Sequence, residues 1–164
     1  MSKIYVDTIE PKTSGNNVSI PLDIPIIKLK SASGESISNA TFTALTLGTT
    51  VFDTHTLKDG NGFTITSATA GYYSIQSQVR LNNYNPFFHR IKIKNNGTVI
   101  GMSENSSYGN TTTPYAGVVY TNVHLLANGD TITMDYYQNS GGSRTTYVDD
   151  EGVFLLGWRI KWVE

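Results

Sequence analysis

Gly71-Tyr72-Tyr73-Ser74-Ile75-Gln76-Ser77-Gln78-Val79-Arg80-Leu81 alternates strictly enough to decide the fold class. Tyr73, Ile75, Val79 and Leu81 fall on one side, and Tyr72, Ser74, Gln76, Gln78 and Arg80 on the other. A period of two is the spacing of successive side chains on a β-strand with one face in a core. The same signal recurs outward from this stretch. Ile91 and Ile93 alternate with Arg90, Lys92 and Lys94, which predicts a strand with a basic face toward water. Asn95-Asn96-Gly97 follows as a hairpin turn, because Asn-Gly accepts positive φ. Val99-Ile100 continues that hairpin, and after Asn128-Gly129-Asp130 the residues Ile132, Met134 and Tyr136 alternate again. Further strands are expected over 24–29, 42–47, 51–56, 63–65 and 118–126. In the last of these Val119, Val123 and Tyr120 compete, so its faces stay open. Residues 153–163 are nearly apolar throughout, with Phe154, Leu156, Trp158, Ile160 and Trp162 on one face and Val153 and Leu155 on the other. A strand apolar on both faces belongs inside a sheet covered on both sides. In a two-sheet sandwich that second cover is another subunit or an added element. No stretch carries a 3.6-residue period.

Composition agrees. The chain has 164 residues, of which 15 are Ser, 21 Thr and 14 Asn, beside 15 Gly and 10 Tyr, while Ala and Glu number seven and five. Thr and Tyr suit pleated strands, Asn and Gly their turns, and the best helix formers are scarce. Eight to ten short strands with regular turns predict an all-β sandwich or jelly roll. Net charge is −1, and without a basic excess neither nucleic acid nor insertion into a membrane is expected. There is no apolar run of spanning length, and Met1-Ser2-Lys3-Ile4-Tyr5 lacks the core of a signal peptide. The absence of cysteine excludes disulfides, a thiol nucleophile and zinc-thiolate sites.

Residues 1–23 are set apart from a main domain spanning 24–164. Ile4, Val6 and Ile9 suggest one short strand, 10–17 is dense turn chemistry, and Val18-Ser19-Ile20 suggests a return strand. Pro21 and Pro25 bracket a stiff crossing. Such a hairpin is too small to fold alone, so it must dock, either as an extra edge on the main domain or as an arm gripping a larger assembly through Ile4, Val6 and Ile9.

Phe63-Thr64-Ile65 followed by Ala70-Gly71-Tyr72-Tyr73-Ser74-Ile75 and Gln76-Ser77-Gln78-Val79 resembles the complement globular-head and tumour necrosis factor-like family. Ile93 to Ile100, Leu126-Ala127-Asn128-Gly129-Asp130 and the closing Phe154-Leu155-Leu156-Gly157 are similar to its later motifs in the same order. The resemblance covers residues 24–164. It implies a ten-strand jelly roll and a tight homotrimer, with the last strand near the axis. On that basis Tyr72, Ser74, Gln76 and Gln78, opposite the core face of their strand, and Leu155 on the last strand are expected at the subunit interface. Residues 1–23 depart from animal members and resemble the start of structural proteins of tailed bacteriophages. The resemblance therefore implies a phage virion protein, a fibre or appendage tip or a capsid-decoration subunit. Such a protein would be made in the host cytoplasm, displayed on the particle and joined to other phage structural proteins through residues 1–23. The alternative is a carbohydrate-binding module of a secreted or surface protein.

No catalytic chemistry is expected. His55, His89 and His124 stand at no metal-ligand spacing. Asp149-Asp150-Glu151 matches no ion loop and is read as a solvated turn, and there is no nucleophile or phosphate-cradling motif. No cofactor and no metal are expected. Two loops, 103–115 and 139–150, are rich in Tyr, Ser, Asn and Gly, the composition of adaptable binding loops. Tyr108, Tyr115, Arg144 and Tyr147 are the candidate recognition residues there, with a host surface glycan as candidate ligand.

Overall fold

The computed structural model describes residues 24–82, 88–106, 115–149 and 152–162. Among the described residues there are thirteen strands and no helix. In chain order they are β1 (Ile26–Lys30), β2 (Ser36–Ile37), β3 (Thr43–Ala44), β4 (Thr49–Asp53), β5 (Lys58–Asp59), β6 (Gly62–Thr64) and β7 (Gly71–Asn82). β8 (Phe88–Asn95), β9 (Thr98–Ser106), β10 (Tyr115–Leu126), β11 (Thr131–Gln138), β12 (Arg144–Thr145) and β13 (Val153–Trp162) follow.

Two antiparallel sheets face each other. One runs β10-β7-β13-β1-β4, the other β5-β6-β11-β8-β9 with β3 added to β11, and β12 and β2 form a small ribbon. β13, the last strand, lies between β7 and β1, near the two ends of the chain order at once. This is the Greek-key connectivity of a jelly roll. Ile27, Leu29, Tyr73, Ile75, Val79, Leu81, Val118, Tyr120, Val153 and Leu155 from the first sheet are all buried. They meet Phe63, Ile91, Ile93, Ile132, Met134 and Tyr136 from the second in one continuous core. Each such side chain withdrawn from water stabilises the fold by roughly 1.5–3 kcal/mol before the entropy of ordering is subtracted.

The expected faces of the 71–81 strand hold, and β8 turns Ile91 and Ile93 inward as its pattern requires. The hairpin at Asn96-Gly97 takes positive φ at both residues, 48° and 81°, the twist that suits two-residue hairpins. The Asn96 side chain also ties the next turn, accepting from Thr131 N (3.1 Å) and donating to Asp130 (3.3 Å).

Several expectations are corrected. Of the stretch 42–47 only Thr43–Ala44 is strand, although Leu45 and Leu47 are still buried as anchors. The strand expected at 51–56 lies instead at Thr49–Asp53. It ends there because the Asp53 carboxylate accepts from the amides of His55 (3.2 Å), Leu57 (2.9 Å) and Lys58 (2.8 Å) and folds the chain around itself. The loop expected from 103 begins later, since β9 continues to Ser106.

Leu155 is the larger correction. It is fully buried in the core, not on the outer face. β13 pairs with β7 so that Leu155 lies opposite Ser77 and Gly157 opposite Ile75, both on the inner side. Gly157 leaves room for the Phe63 ring, 2.7 Å from where a Cβ would stand. Arg159, also inward and buried, donates to Ala68 O (3.1 Å) at the end of the sandwich. The bulkier side of this strand, Phe154-Leu156-Trp158-Ile160, therefore faces outward.

Ser77 points into the core beside Leu155, and its hydroxyl is buried without a hydrogen-bond partner among the described residues. A buried hydroxyl left unpaired carries a desolvation cost. Ser77→Ala is expected to raise the midpoint of urea unfolding, by a free energy of about 1 kcal/mol. An unchanged or lowered midpoint at constant slope would count against this account of the core.

Candidate functional site

The outer face of the five-stranded sheet is the most distinctive surface among the described residues. Strand register sets its side chains in rows. Val119, Gln78, Phe154 and Lys30 lie abreast on β10, β7, β13 and β1, as do Thr121, Gln76, Leu156 and Lys28. Val123, Ser74, Trp158 and Ile26 make the next row, and Leu125 stands opposite Tyr72. Tyr72, Ser74, Gln76 and Gln78 thus form a midline, largely polar, between two apolar columns. Val119 (54%), Val123 (48%), Leu125 (54%) and Ile160 (52%) are half exposed, and Tyr72 retains 39%. Lys28 Nζ lies 4.8 Å from the Phe154 ring centre and lends that column a cation–π contact. The strand order makes this face from residues far apart in sequence, so no local motif announces it. Four of the five residues expected at an interface are on it. The apolar columns were missed because choosing between the two apolar sides of β13, and between the competing valines of β10, required the pairing partner.

The loop candidates fare differently. Arg144 Nε donates to Ser140 Oγ (2.7 Å), and Gln138, buried, ties its own loop through Ile37 O (3.0 Å), Gly142 O (2.8 Å) and Ser140 N (2.7 Å). Gly141 N donates to Asn39 Oδ1 (2.9 Å). Tyr147 is held by its amide on Arg80 O (2.8 Å), with the Arg80 guanidinium 5.2 Å from its ring centre. Arg80 also pairs with Asp149 at 3.4 Å. Hydrogen bonds from Gln138 to Ile37, from Gly141 to Asn39 and from Tyr147 to Arg80 fasten this segment to the rest of the sandwich. Tyr108, Asp150 and Glu151 lie outside the described residues, as do Ile4, Val6 and Ile9 and the whole expected arm. Tyr115 is placed only by its backbone, at the start of β10 opposite Asn82.

The basic face of β8 is compensated. Lys94 pairs with Asp135 (2.7 Å) and Arg90 with Glu104, while Lys92 Nζ sits 3.5 Å above the Phe42 ring centre, next to Tyr137. Among the described residues no three His, Asp or Glu side chains gather as metal ligands. His55 Nδ1 is 2.8 Å from Thr54 Oγ1 on the surface. His124 Nε2 meets Tyr120 Oη at 2.6 Å, where burial lowers the imidazole pKa and raises that of the phenol. His89 is 1% exposed, with Nδ1 2.8 Å from Tyr136 Oη.

Burial pushes the His89 pKa down from 6.5 to about 4. The unfolded chain therefore takes up this proton first as the pH falls. His89's contribution is whole above pH 6.5 and is lost between 6.5 and about 4, amounting to roughly 3 kcal/mol. The melting temperature is expected to fall across that window in a titration by calorimetry. His89→Gln, which keeps a polar partner for Tyr136, should flatten the slope, and an equal slope in both proteins would contradict the assignment.

The geometry defines an antiparallel jelly-roll sandwich of the tumour necrosis factor and complement globular-head type. No protein-family model matches the sequence, and no curated protein matches it. In three dimensions it is similar to murine APRIL at pH 5.0, with a TM-score of 0.62 and 17% identity over 84% of this chain and 99% of that one. Eiger TNF from S. frugiperda gives 0.62 at 11% identity over 86% and 94%. The globular domain of zebrafish complement 1qA protein gives 0.55 at 12% identity over 84% and 98%. At these identities the likeness shows the fold, and it is the fold that the 63–79, 93–100, 126–130 and 154–157 segments implied.

Proposed function

We propose that the protein is a non-enzymatic structural subunit of a phage virion. In this reading it is a homotrimer displayed on the particle surface as a fibre or appendage tip or as capsid decoration, and contributes to host attachment. The observation that carries the assembly is the apolar outer face of the β10-β7-β13-β1 sheet. Monomeric proteins rarely leave such contiguous apolar surface in water. A closed ring of three needs two different patches that fit each other. The sheet face is one candidate, and the adjoining edge, where Val99 and Met102 stand exposed on β9, is the other. The Ser74-Gln76-Gln78 midline would supply hydrogen bonds within an otherwise dry contact. The virion assignment is supported by residues 1–23, whose sequence resembles the start of tailed-phage structural proteins.

Light scattering of the purified chain at micromolar concentration is expected to give three times the 18.0 kDa chain mass. A monodisperse monomer would remove the assembly. Immunogold labelling of particles with antibody against residues 24–164 tests the location. Label on the capsid would mean decoration, label at a tail or fibre would mean an appendage, and unlabelled particles would overturn the virion reading.

A further inference from the structure

The ion pairs on the basic face of β8 leave part of its donors unused. On β8, β9 and β11 the outward charged side chains are Arg90, Lys92 and Lys94 against Glu104 and Asp135. Lys94 takes Asp135 and Arg90 takes Glu104. Lys92 therefore has no carboxylate partner of its own among the described residues, and its ammonium lies over the Phe42 ring, 3.5 Å from the centre. Arg90 meets Glu104 through Nε, and its two terminal nitrogens have no acceptor among the described residues. The guanidinium carbon is 5.6 Å from the Tyr137 ring centre and 5.9 Å from that of Phe88. A guanidinium tethered at Nε and flanked by two rings is pre-organised to give its remaining donors to a planar acceptor such as a carboxylate. Lys92, two residues on and on the same face of β8, adds a second cation about 7 Å along the strand.

Beside these donors is an aromatic platform. The Phe42 and Tyr137 rings pack with centres 5.1 Å apart, tilted by 40°, and both keep part of their surface in water. Phe42 directly precedes β3 and Tyr137 is on β11, so the platform lies on the side of β8 away from β9. A bare anion would use the cations alone, and cross-strand packing would use the rings alone. A ligand that uses both carries a carboxylate and an apolar face on one rigid frame. A pyranose bearing a carboxylate is such a frame, since its C–H face stacks on an aromatic ring. Glu104 and Asp135 border the site and repel additional negative charge, which favours one carboxylate over a denser anion.

We propose that this face binds acidic saccharides, with the carboxylate of the pyranose received by Arg90 and Lys92 and the sugar ring laid on Phe42 and Tyr137. The site is on the sheet opposite the one that supplies the apolar contact face between copies. It gives the attachment part of the proposed function a ligand class, yet each fails separately. Unlabelled particles would leave the site standing, and a chain blind to acidic sugars would leave the trimer and its location standing.

The test is a titration of the full-length protein with trigalacturonate, followed by amide chemical shifts and calorimetry. Maltotriose serves as the neutral sugar and inorganic phosphate as the compact anion. Trigalacturonate is expected to move amides of β8, β11 and residues 42–44, and to bind about tenfold tighter than either control. Lys92→Gln and Arg90→Lys should each weaken it about fivefold, the second because an ammonium does not reproduce the planar fork. Tyr137→Ala should weaken it by a similar factor with the circular dichroism unchanged. The wild-type shifts keep the test decisive should a variant fold poorly. No shifts at millimolar trigalacturonate, shifts confined to other strands, or equal binding of maltotriose or phosphate would each overturn the proposal. So would an affinity that a folded Tyr137→Ala protein retains in full.

Discussion

Gly62→Ala is expected to be strongly destabilising. A Cβ at this position would stand 1.9 Å from Ile132 O and 3.0 Å from Ile132 C. The obstacle is backbone, and it belongs to the β6–β11 ladder, where Ile132 lies opposite Phe63. No rotamer change relieves it, so either the ladder opens or β6 moves, and with β6 goes Phe63, which is buried against Gly157. Overpacking of this kind costs at least about 3 kcal/mol, which for a chain of this size corresponds to a melting temperature lower by roughly 10 °C. Gly60→Ala, with nothing near its Cβ but a φ of 53°, should cost only about 1 kcal/mol. If the two variants melt alike, the close approach at Gly62 is not what the chain requires there.

Leu156→Glu is expected to yield a folded monomer, and Leu155→Glu an unfolded chain. The two residues are neighbours on β13, yet Leu155 is wholly buried in the core while Leu156 is in the outer row with Thr121, Gln76 and Lys28. A carboxylate at position 155 has no partner between the sheets, and burying an unpaired charge exceeds the net stability of a typical domain. At position 156, half-buried on the outer face, it still reaches water in the single subunit and loses that water on assembly, so most of the cost falls on the contact between copies. Circular dichroism should keep its β signature for Leu156→Glu while light scattering reports one third of the mass of the proposed trimer. A Leu156→Glu protein that remains trimeric would place the interface elsewhere. Trp158→Glu, in the next row, should behave as Leu156→Glu does.

These two pairs of substitutions also mark the boundary between sequence and tertiary structure. The alternation from Tyr72 to Leu81 determined a strand and both of its faces, because a period of two is a property of the backbone and needs no partner. The Asn96-Gly97 turn, the inward Ile91 and Ile93, and the order of motifs that implied a jelly roll were likewise set locally, by φ preferences and spacing. The faces of β10 and β13 were not. Val153 and Leu155 compete with Phe154 and Leu156, and either side is apolar enough to enter a core. What decided between them was the pairing of β13 with β7 and β1, which put Gly157 under the Phe63 ring and Arg159 against Ala68 O. The corner at 138–149 shows the same limit. Its Ser, Gly and Tyr residues have the composition of an adaptable loop, and Ile37, Asn39 and Arg80, distant in sequence, fasten it through hydrogen bonds. Composition reports what a segment could do in water. Hydrogen bonds and close contacts between residues a hundred positions apart arise only once the strands are ordered into sheets, and those contacts chose which apolar face this protein keeps inside and which it presents.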